Sequence, residues 1–238
     1  MSREISWRIE WYDEVGSTND TAYKRALEGE KEGLIVVANS QTKGRGRLNR
    51  AWFSPKGKNV YLSILLTPSE KKVGMIPFIC GLAASDALKK FGLETKLKWP
   101  NDLVVADKKI GGILCEYKGK GLVVAGTGVN LDTEFSEFPD EIANLATSYL
   151  IETKRTLNRG EFVKTFLTFL QLWYIKPHFD VVAETKLRCT TLGRRIRAIL
   201  ASCEIEGVAY DMDETGALLV RTESEVVRLE TGDVVHLR

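Results

Sequence analysis

The residues from Gln41 to Trp52 carry the most pointed chemistry in the chain. They read Gln-Thr-Lys-Gly-Arg-Gly-Arg-Leu-Asn-Arg-Ala-Trp, with four cations in the eight residues Lys43 to Arg50 and no acid among them. Gly44 and Gly46 free the backbone for close approach to a ligand. Successive N–H groups in such a loop can form an anion nest, and arginines supply forked donors suited to phosphate. Read alone, the segment fits an anion cradle, a solvated basic loop or a nucleic-acid patch. No Gly-Lys-Ser/Thr closes it, so it is not a Walker A loop.

A second cluster is Lys98-Trp99-Pro100-Asn101-Asp102. A lysine ending an apolar strand must have its charge satisfied. A point cation there could hold a carboxylate and a phosphate together, and Asp102 could accept a proton or orient a nucleophile. A plain strand end with an Asn-Asp turn fits locally as well. Lys109-Ile110-Gly111-Gly112-Ile113 sets paired glycines inside a strand pattern, the mark of a bulge or of a ligand against the backbone. Gly126-Thr127-Gly128-Val129-Asn130 repeats that feature and adds an amide able to read a base or a ribose. No helix follows it, which excludes a dinucleotide fingerprint. Ser17-Thr18-Asn19 opens a helical pattern as an N-cap would, and hydroxyls at a helix start can also bind a polar head group.

These clusters need elements to hold them. Alternation over Trp7 to Tyr12 predicts a half-buried strand, Ser17 to Leu27 a helix, and the apolar runs Leu34 to Ala38 and Val60 to Leu66 buried strands. Met75 to Phe91 reads as a buried helix. Lys96 to Trp99, Leu103 to Ala106, Ile110 to Tyr117 and Leu122 to Val129 read as strands, the last three joined as hairpins. Asn158 with Glu161 resembles a capping box for a helix burying Phe162, Phe166 and Leu170 and ending at Pro177. After about Leu187 the pattern changes. Arg194 to Ala201, Glu204 to Met212, Ala217 to Arg221, Val226 to Leu229 and Val234 to Leu237 predict five short strands, as in a small barrel. The expected organisation is a mixed α/β domain over residues 1–187 and a small β-barrel over 188–238.

Composition narrows the function classes. The chain has 238 residues, 44% hydrophobic, with 34 Lys and Arg against 32 Asp and Glu. A formal charge of +2 does not suggest a nucleic-acid coat or a membrane-surface protein. Cys80, Cys115, Cys189 and Cys203 form no C-x-x-C pair, and His178 and His236 lie far apart, so no metal cluster of protein ligands is expected. Met1 to Glu4 opens no apolar signal segment, and the longest apolar run, Met75 to Ala84, is about half the ~20 residues of a membrane span. A cytoplasmic protein that binds neither membrane nor nucleic acid is expected.

Taken in order, the motifs resemble the biotin–protein ligase family: S-T-N at Ser17 to Asn19, Q-T-x-G-R-G-R from Gln41 to Arg47, R-x-W at Arg50 to Trp52, K-W-P-N-D at Lys98 to Asp102, K-I-G-G-I from Lys109 to Ile113, and G-x-G-V-N at Gly126 to Asn130. The resemblance is tight over about the first 130 residues and looser in the C-terminal region. It implies an α+β fold: a mixed sheet flanked by helices, class II synthetase-like, with an SH3-like barrel behind it. It also implies a two-step reaction, in which biotin and MgATP give biotinyl-5′-adenylate and a lysine of a biotin carboxyl carrier domain then displaces AMP.

Carried over residue by residue, the resemblance places Ser17, Thr18, Asn19 and Gln41 at biotin, with the backbone of Gly44, Arg45 and Gly46 and with Gly112 and Gly128. Arg47 and Lys98 would hold the carboxylate and phosphate. Arg50, Trp52, Lys109 and Asn130 would serve the nucleotide, and Asp102 would orient or deprotonate the acceptor lysine. The basic loop is expected to be mobile when empty and ordered around ligand, and a homodimer fits the family. The stretch ahead of Ser17 is too short for the winged helix of repressor members, so specific DNA binding is not expected. A lipoate–protein ligase is the nearest rival, and a non-enzymatic nucleic-acid-binding module the rival of another class.

Overall fold

The computed structural model describes residues 5–200 and 203–237. Strand β1 (Arg8–Val15) passes into helix α1 (Thr18–Leu27) and returns as β2 (Leu34–Gln41), parallel to β1. The basic segment follows, with a single 3-10 turn at Arg47–Asn49, then β3 (Val60–Leu66) and helix α2 (Ile76–Lys90). Strands β4 (Lys96–Lys98), β5 (Asp102–Val105), β6 (Lys108–Tyr117) and β7 (Val123–Val129) make an antiparallel run. Together they form one mixed sheet of seven strands, order β1-β2-β3-β7-β6-β5-β4. Short helices α3 (Asp140–Ala143) and α4 (Tyr149–Thr153) lead to α5 (Arg159–Ile175) and α6 (His178–Arg188).

Burial explains why this sheet needs two layers of helix. All seven residues of β3 are buried, so both faces of the strand must be covered. Leu62, Ile64 and Leu66 join α2 in the main core, which Phe162, Phe166 and Leu170 of α5 extend. On the opposite face Leu65 packs with Ala22 of α1, Leu34, Val36 and Val124. The Asn158 side chain accepts from the Glu161 N–H, which caps α5 as its sequence predicts. Helices α3, α4 and α6 are additions to the predicted set.

The C-terminal strands β8 (Arg195–Ile199), β9 (Glu204–Met212), β10 (Leu218–Arg221), β11 (Val226–Leu229) and β12 (Asp233–His236) lie close to their predicted limits. They form an antiparallel five-stranded sheet, order β11-β10-β9-β8-β12, in which β11 and β12 are open edges among the described residues rather than a closed barrel. Ala201, where the first of these strands was expected to end, and Met1 to Glu4 lie outside the described residues. Trp99 ties the two sheets together: its Nε1 donates to the Gly216 carbonyl at 3.0 Å and its N–H to Thr191 Oγ1 at 3.1 Å. The Trp99–Pro100 peptide is cis.

Asp213 organises the β9–β10 turn against which Trp99 rests. Burial alone would raise its pKa, but hydrogen bonds from Thr215, Arg228 and the Ala217 N–H outweigh this and bring it down to about 2. A depressed carboxylate contributes stability that is full above its unfolded value near 3.8 and is lost as pH falls through about 2. Asp213→Ala is therefore expected to lower the urea midpoint at pH 7, and the gap to the unaltered chain should shrink between about pH 4 and pH 2. Urea titrations at stepped pH test this, and a gap independent of pH would contradict it.

Candidate active site

A cavity of about 530 Å³ opens between the two sheets. It is bounded by the start of α1, the basic loop, the glycine-bearing parts of β6 and β7, the β4–β5 turn and strand β12.

One end is lined by hydroxyls and amides. Gln41 Oε1 accepts from the Thr18 N–H at 2.9 Å and lies 3.1 Å from Thr18 Oγ1, and Gln41 Nε2 donates to Ser54 Oγ at 3.0 Å. Ser63, the polar residue in the apolar strand β3, reaches Thr18 Oγ1 at 2.7 Å and Asn19 Oδ1 at 2.6 Å. Asn19 Nδ2 donates to Glu116 Oε2 at 2.8 Å and to the Leu114 carbonyl at 3.2 Å. Glycine is required beneath this group, because a Cβ at position 126 would lie 2.3 Å from Asn19 Oδ1.

The middle of the cavity is cationic. Lys98 is half-buried at the end of β4, and its side chain makes no hydrogen bond or ion pair with any described residue. Arg47 donates to Thr231 Oγ1 at 2.7 Å, the Gly232 carbonyl at 3.2 Å and Asn101 Oδ1 at 3.4 Å. Burial pulls the Arg47 pKa down from its ordinary value, opposed by Asp233 and Asp102. Arg50 pairs with Asp233, so the β11–β12 turn holds two cations of the basic loop. The Arg45 guanidinium is turned to Asp20, at 2.5 and 2.6 Å.

Lys109 Nζ lies 2.6 Å from Asp102 Oδ1 and 5.4 Å from the centre of the Trp52 ring. The indole packs across Gly112 and Gly128, and its Nε1 is buried without a hydrogen bond. A Cβ at position 128 would sit 2.6 Å from it. Gly128→Ala is thus expected to displace Trp52 and to lower ligand affinity about tenfold or more, since misplacement near 1 Å costs up to about 10²-fold in positioned chemistry. Titration calorimetry with the ligand proposed below measures this, and unchanged affinity would show that the indole moves freely.

The far end is apolar, with Phe138, Ile142, Leu145 and Ala146 beside Val104. Asn130 borders it and donates through Nδ2 to the Thr147 carbonyl at 3.0 Å. Outside Lys98, burial together with the charges of Lys98 and Arg194 lowers His236 to about 4. The ring is therefore neutral at pH 7. Its Nδ1 accepts from Arg194 at 3.0 Å, which leaves Nε2 to donate to Thr191 at 3.2 Å. Unpaired cation, hydroxyl end and apolar end together suit a ligand with a polar head, an anionic middle and a flat apolar or aromatic part.

Comparison with known proteins gives the family. The model of the biotin/lipoate A/B protein ligase family matches residues 12–132, and that of the biotin protein ligase C-terminal domain matches residues 191–237. A biotin–[acetyl-CoA-carboxylase] ligase of Mycobacterium tuberculosis is 31% identical, with 98% of this chain and 90% of the relative covered. The biotin protein ligase of Aquifex aeolicus, solved in complex with biotin and ATP, superposes with a TM-score of 0.85 at 30% identity, covering 97% of this chain and 99% of that one. The chain belongs to the biotin/lipoate A/B protein ligase family. The Leishmania major biotin protein ligase, solved in complex with biotinyl-5-AMP, has a TM-score of 0.66 at 25% identity, covering 97% of this chain and 98% of that one.

In this family member the cavity gathers Ser17, Thr18, Asn19, Gln41, Arg45, Gly46, Arg47, Arg50, Trp52, Lys98, Asp102, Lys109, Gly112, Gly128 and Asn130. Gly44 stands outside its wall, packed where a Cβ would come within 2.7 Å of the Trp52 carbonyl and Ser54 Oγ. Ser63, Glu116, Phe138 and the Thr231–Asp233 turn were not anticipated as parts of the site. Ser63 had a signal, the one small polar residue in an apolar strand.

Proposed function

We propose that this chain is a biotin–protein ligase that activates biotin with ATP and transfers it to a lysine of a carrier protein. The unpaired, half-buried Lys98 beside Arg47 carries the reading. Bringing a carboxylate to an α-phosphate crowds two anions, and cations fixed at that point stabilise the charge that develops. In the first step a biotin carboxylate oxygen bonds the α-phosphorus, the α–β bridging bond breaks, and pyrophosphate leaves. In the second, the lysine amine attacks the acyl carbon, AMP leaves and the amine loses a proton.

Thr18, Gln41 and Ser17 take the ureido head, with Asn19, Gly112 and Gly128 shaping its surroundings. The nucleotide lies toward Trp52, Asn130 and the apolar wall at Phe138 and Ala146, where stacking and a fixed amide suit a purine. Lys109 serves the phosphates, and Asp102, 2.6 Å from it, both steadies that cation and faces the incoming amine. The charges present fit a magnesium ion carried by the nucleotide, because the cavity carboxylates Asp102, Asp107 and Asp233 already pair with Lys109, Arg194 and Arg50. Phosphate oxygens are the hard donors that magnesium prefers.

We assign residues 1–187 to catalysis and 188–238 to a satellite domain that steadies the basic loop. A biotin carboxyl carrier domain as acceptor, a homodimer and a cytoplasmic setting complete the reading. No helix among the described residues is long and apolar enough to cross a membrane. Incubation with biotin, ATP and a carrier domain should add one biotin to one carrier lysine, as seen by intact mass. An unmodified carrier alongside normal pyrophosphate release would reject the carrier assignment.

A further inference from the structure

Ser63 Oγ lies 2.7 Å from Thr18 Oγ1 and 2.6 Å from Asn19 Oδ1, and a hydroxyl has one proton. The Asn19 amide decides where that proton goes. Its Nδ2 faces two acceptors, the Leu114 carbonyl and Glu116 Oε2, so the opposite end is an oxygen, which only accepts. Ser63 therefore donates to Asn19 and turns lone pairs toward Thr18. The 2.7 Å contact between the two hydroxyls then requires the proton of Thr18. The other acceptor beside Thr18 is Gln41 Oε1 at 3.1 Å, which already receives the Thr18 N–H. Ser63, closer at 2.7 Å, is therefore the better acceptor, and the Thr18 proton goes to it. The outcome is a one-way chain from Thr18 through Ser63 and Asn19 to the Glu116 carboxylate. Lys118 at 3.5 Å and Arg45 at 3.8 Å hold that carboxylate from the other side.

We propose that Glu116, Asn19 and Ser63 are positioning residues that fix Thr18 as a hydrogen-bond acceptor and thereby select a ligand head group that carries N–H. This rests on the ligase reading above. Ser17, beside Thr18, has a hydroxyl with no partner among the described residues, so it is free to donate. An acceptor next to a donor matches an N–H next to a carbonyl, as in a cyclic urea. A dithiolane ring, which has no N–H, meets only lone pairs at Thr18 and leaves a buried acceptor unsatisfied. The chain of donors would thus separate biotin from lipoate.

The test is acid-dependent pyrophosphate release by the full chain, with biotin, desthiobiotin or lipoate as substrate. Ser63→Ala removes the closer acceptor of the Thr18 proton and leaves only the 3.1 Å contact to Gln41, already shared with the Thr18 N–H, to hold it from the cavity. It is expected to raise KM for biotin and desthiobiotin about fivefold, the worth of one net hydrogen bond, with KM for ATP unchanged. The preference for biotin over lipoate should fall by a similar factor. Glu116→Leu leaves Asn19 bonded to the Leu114 carbonyl and should act in the same direction by about twofold, while Glu116→Gln, which keeps an acceptor oxygen, should restore normal values. Should Ser63→Ala fail to fold, the Glu116 pair decides alone. Biotin-dependent release by the unaltered chain, with biotin KM and preference unmoved in Ser63→Ala and in Glu116→Leu, would overturn this proposal only. Absence of biotin-dependent release in the unaltered chain would overturn the ligase reading and this proposal with it.

Discussion

Lys98→Ala is expected to slow adenylate formation about 10²-fold or more, the scale found when one preorganised donor is removed from a developing charge. Three features make this position more sensitive than its neighbours. Lys98 ends β4, whose pairing with β5 fixes its backbone opposite Asp102. It has no partner among the described residues, so its full charge is available to ligand, whereas Arg45, Arg50 and Lys109 are each paired with a carboxylate. It also helps keep His236 neutral, which ties its charge to the Thr191 and Trp99 contacts between the sheets. Burial is the larger cause of that neutrality, so removal of Lys98 is expected to take away catalysis and to leave packing intact. Single-turnover adenylation, with circular dichroism to check the fold, measures the effect. Near-normal turnover would remove Lys98 from the chemistry, and a chain that unfolds would make it a structural residue.

Arg47→Gly should still form adenylate but release it on the order of tenfold to a hundredfold faster, since hydrogen bonds to a charged group are worth about 1.5–3 kcal/mol each. The loop was expected to be loose because four like charges repel. In the structure Arg45, Arg47 and Arg50 each have protein partners, and Arg47 and Arg50 reach the same turn, Thr231 to Asp233. Arg47 acts as a latch between the loop, the β4–β5 turn and the C-terminal sheet. In the proposed reaction a closed loop would keep water from the mixed anhydride until the acceptor arrives. Thr231→Val keeps the shape, removes one latch partner and should leak in smaller measure. The readout is biotin appearing on an unrelated bystander protein in the presence of biotin and ATP. No bystander labelling with either variant would show that Arg47 does not retain the intermediate.

Much of this architecture was legible because its signals are local. Val60–Leu66 is an apolar run interrupted only by Ser63 and becomes β3 over those same residues. The five C-terminal strands are punctuated by glycine turns such as Gly216 and Gly232, which have positive φ. Helix α6 was missed because its buried residues are the β-branched Val181, Val182 and Thr185, which carry little helical signal. Helices α3 and α4, of four and five residues, are too short for a period of 3.6 to emerge. The site's motifs were readable because each has an unusual composition. Its long-range supports were not: Arg47 meets Gly232 across 185 residues, and no spacing rule connects them. Leu48 and Asn49 take positive φ in the loop, a conformation that costs Leu48 strain and that asparagine tolerates better.

In the proposed reaction a fixed, unpaired cation in this cavity drives transfer of the adenylyl group of ATP to the biotin carboxylate. Pyrophosphate release from purified chain with ATP, measured with and without biotin and with lipoate or octanoate in its place, tests it most directly. The expected release depends on biotin, is supported by neither other acid, and is abolished almost entirely by Lys98→Ala. Release indifferent to biotin, or stronger with lipoate, would contradict it.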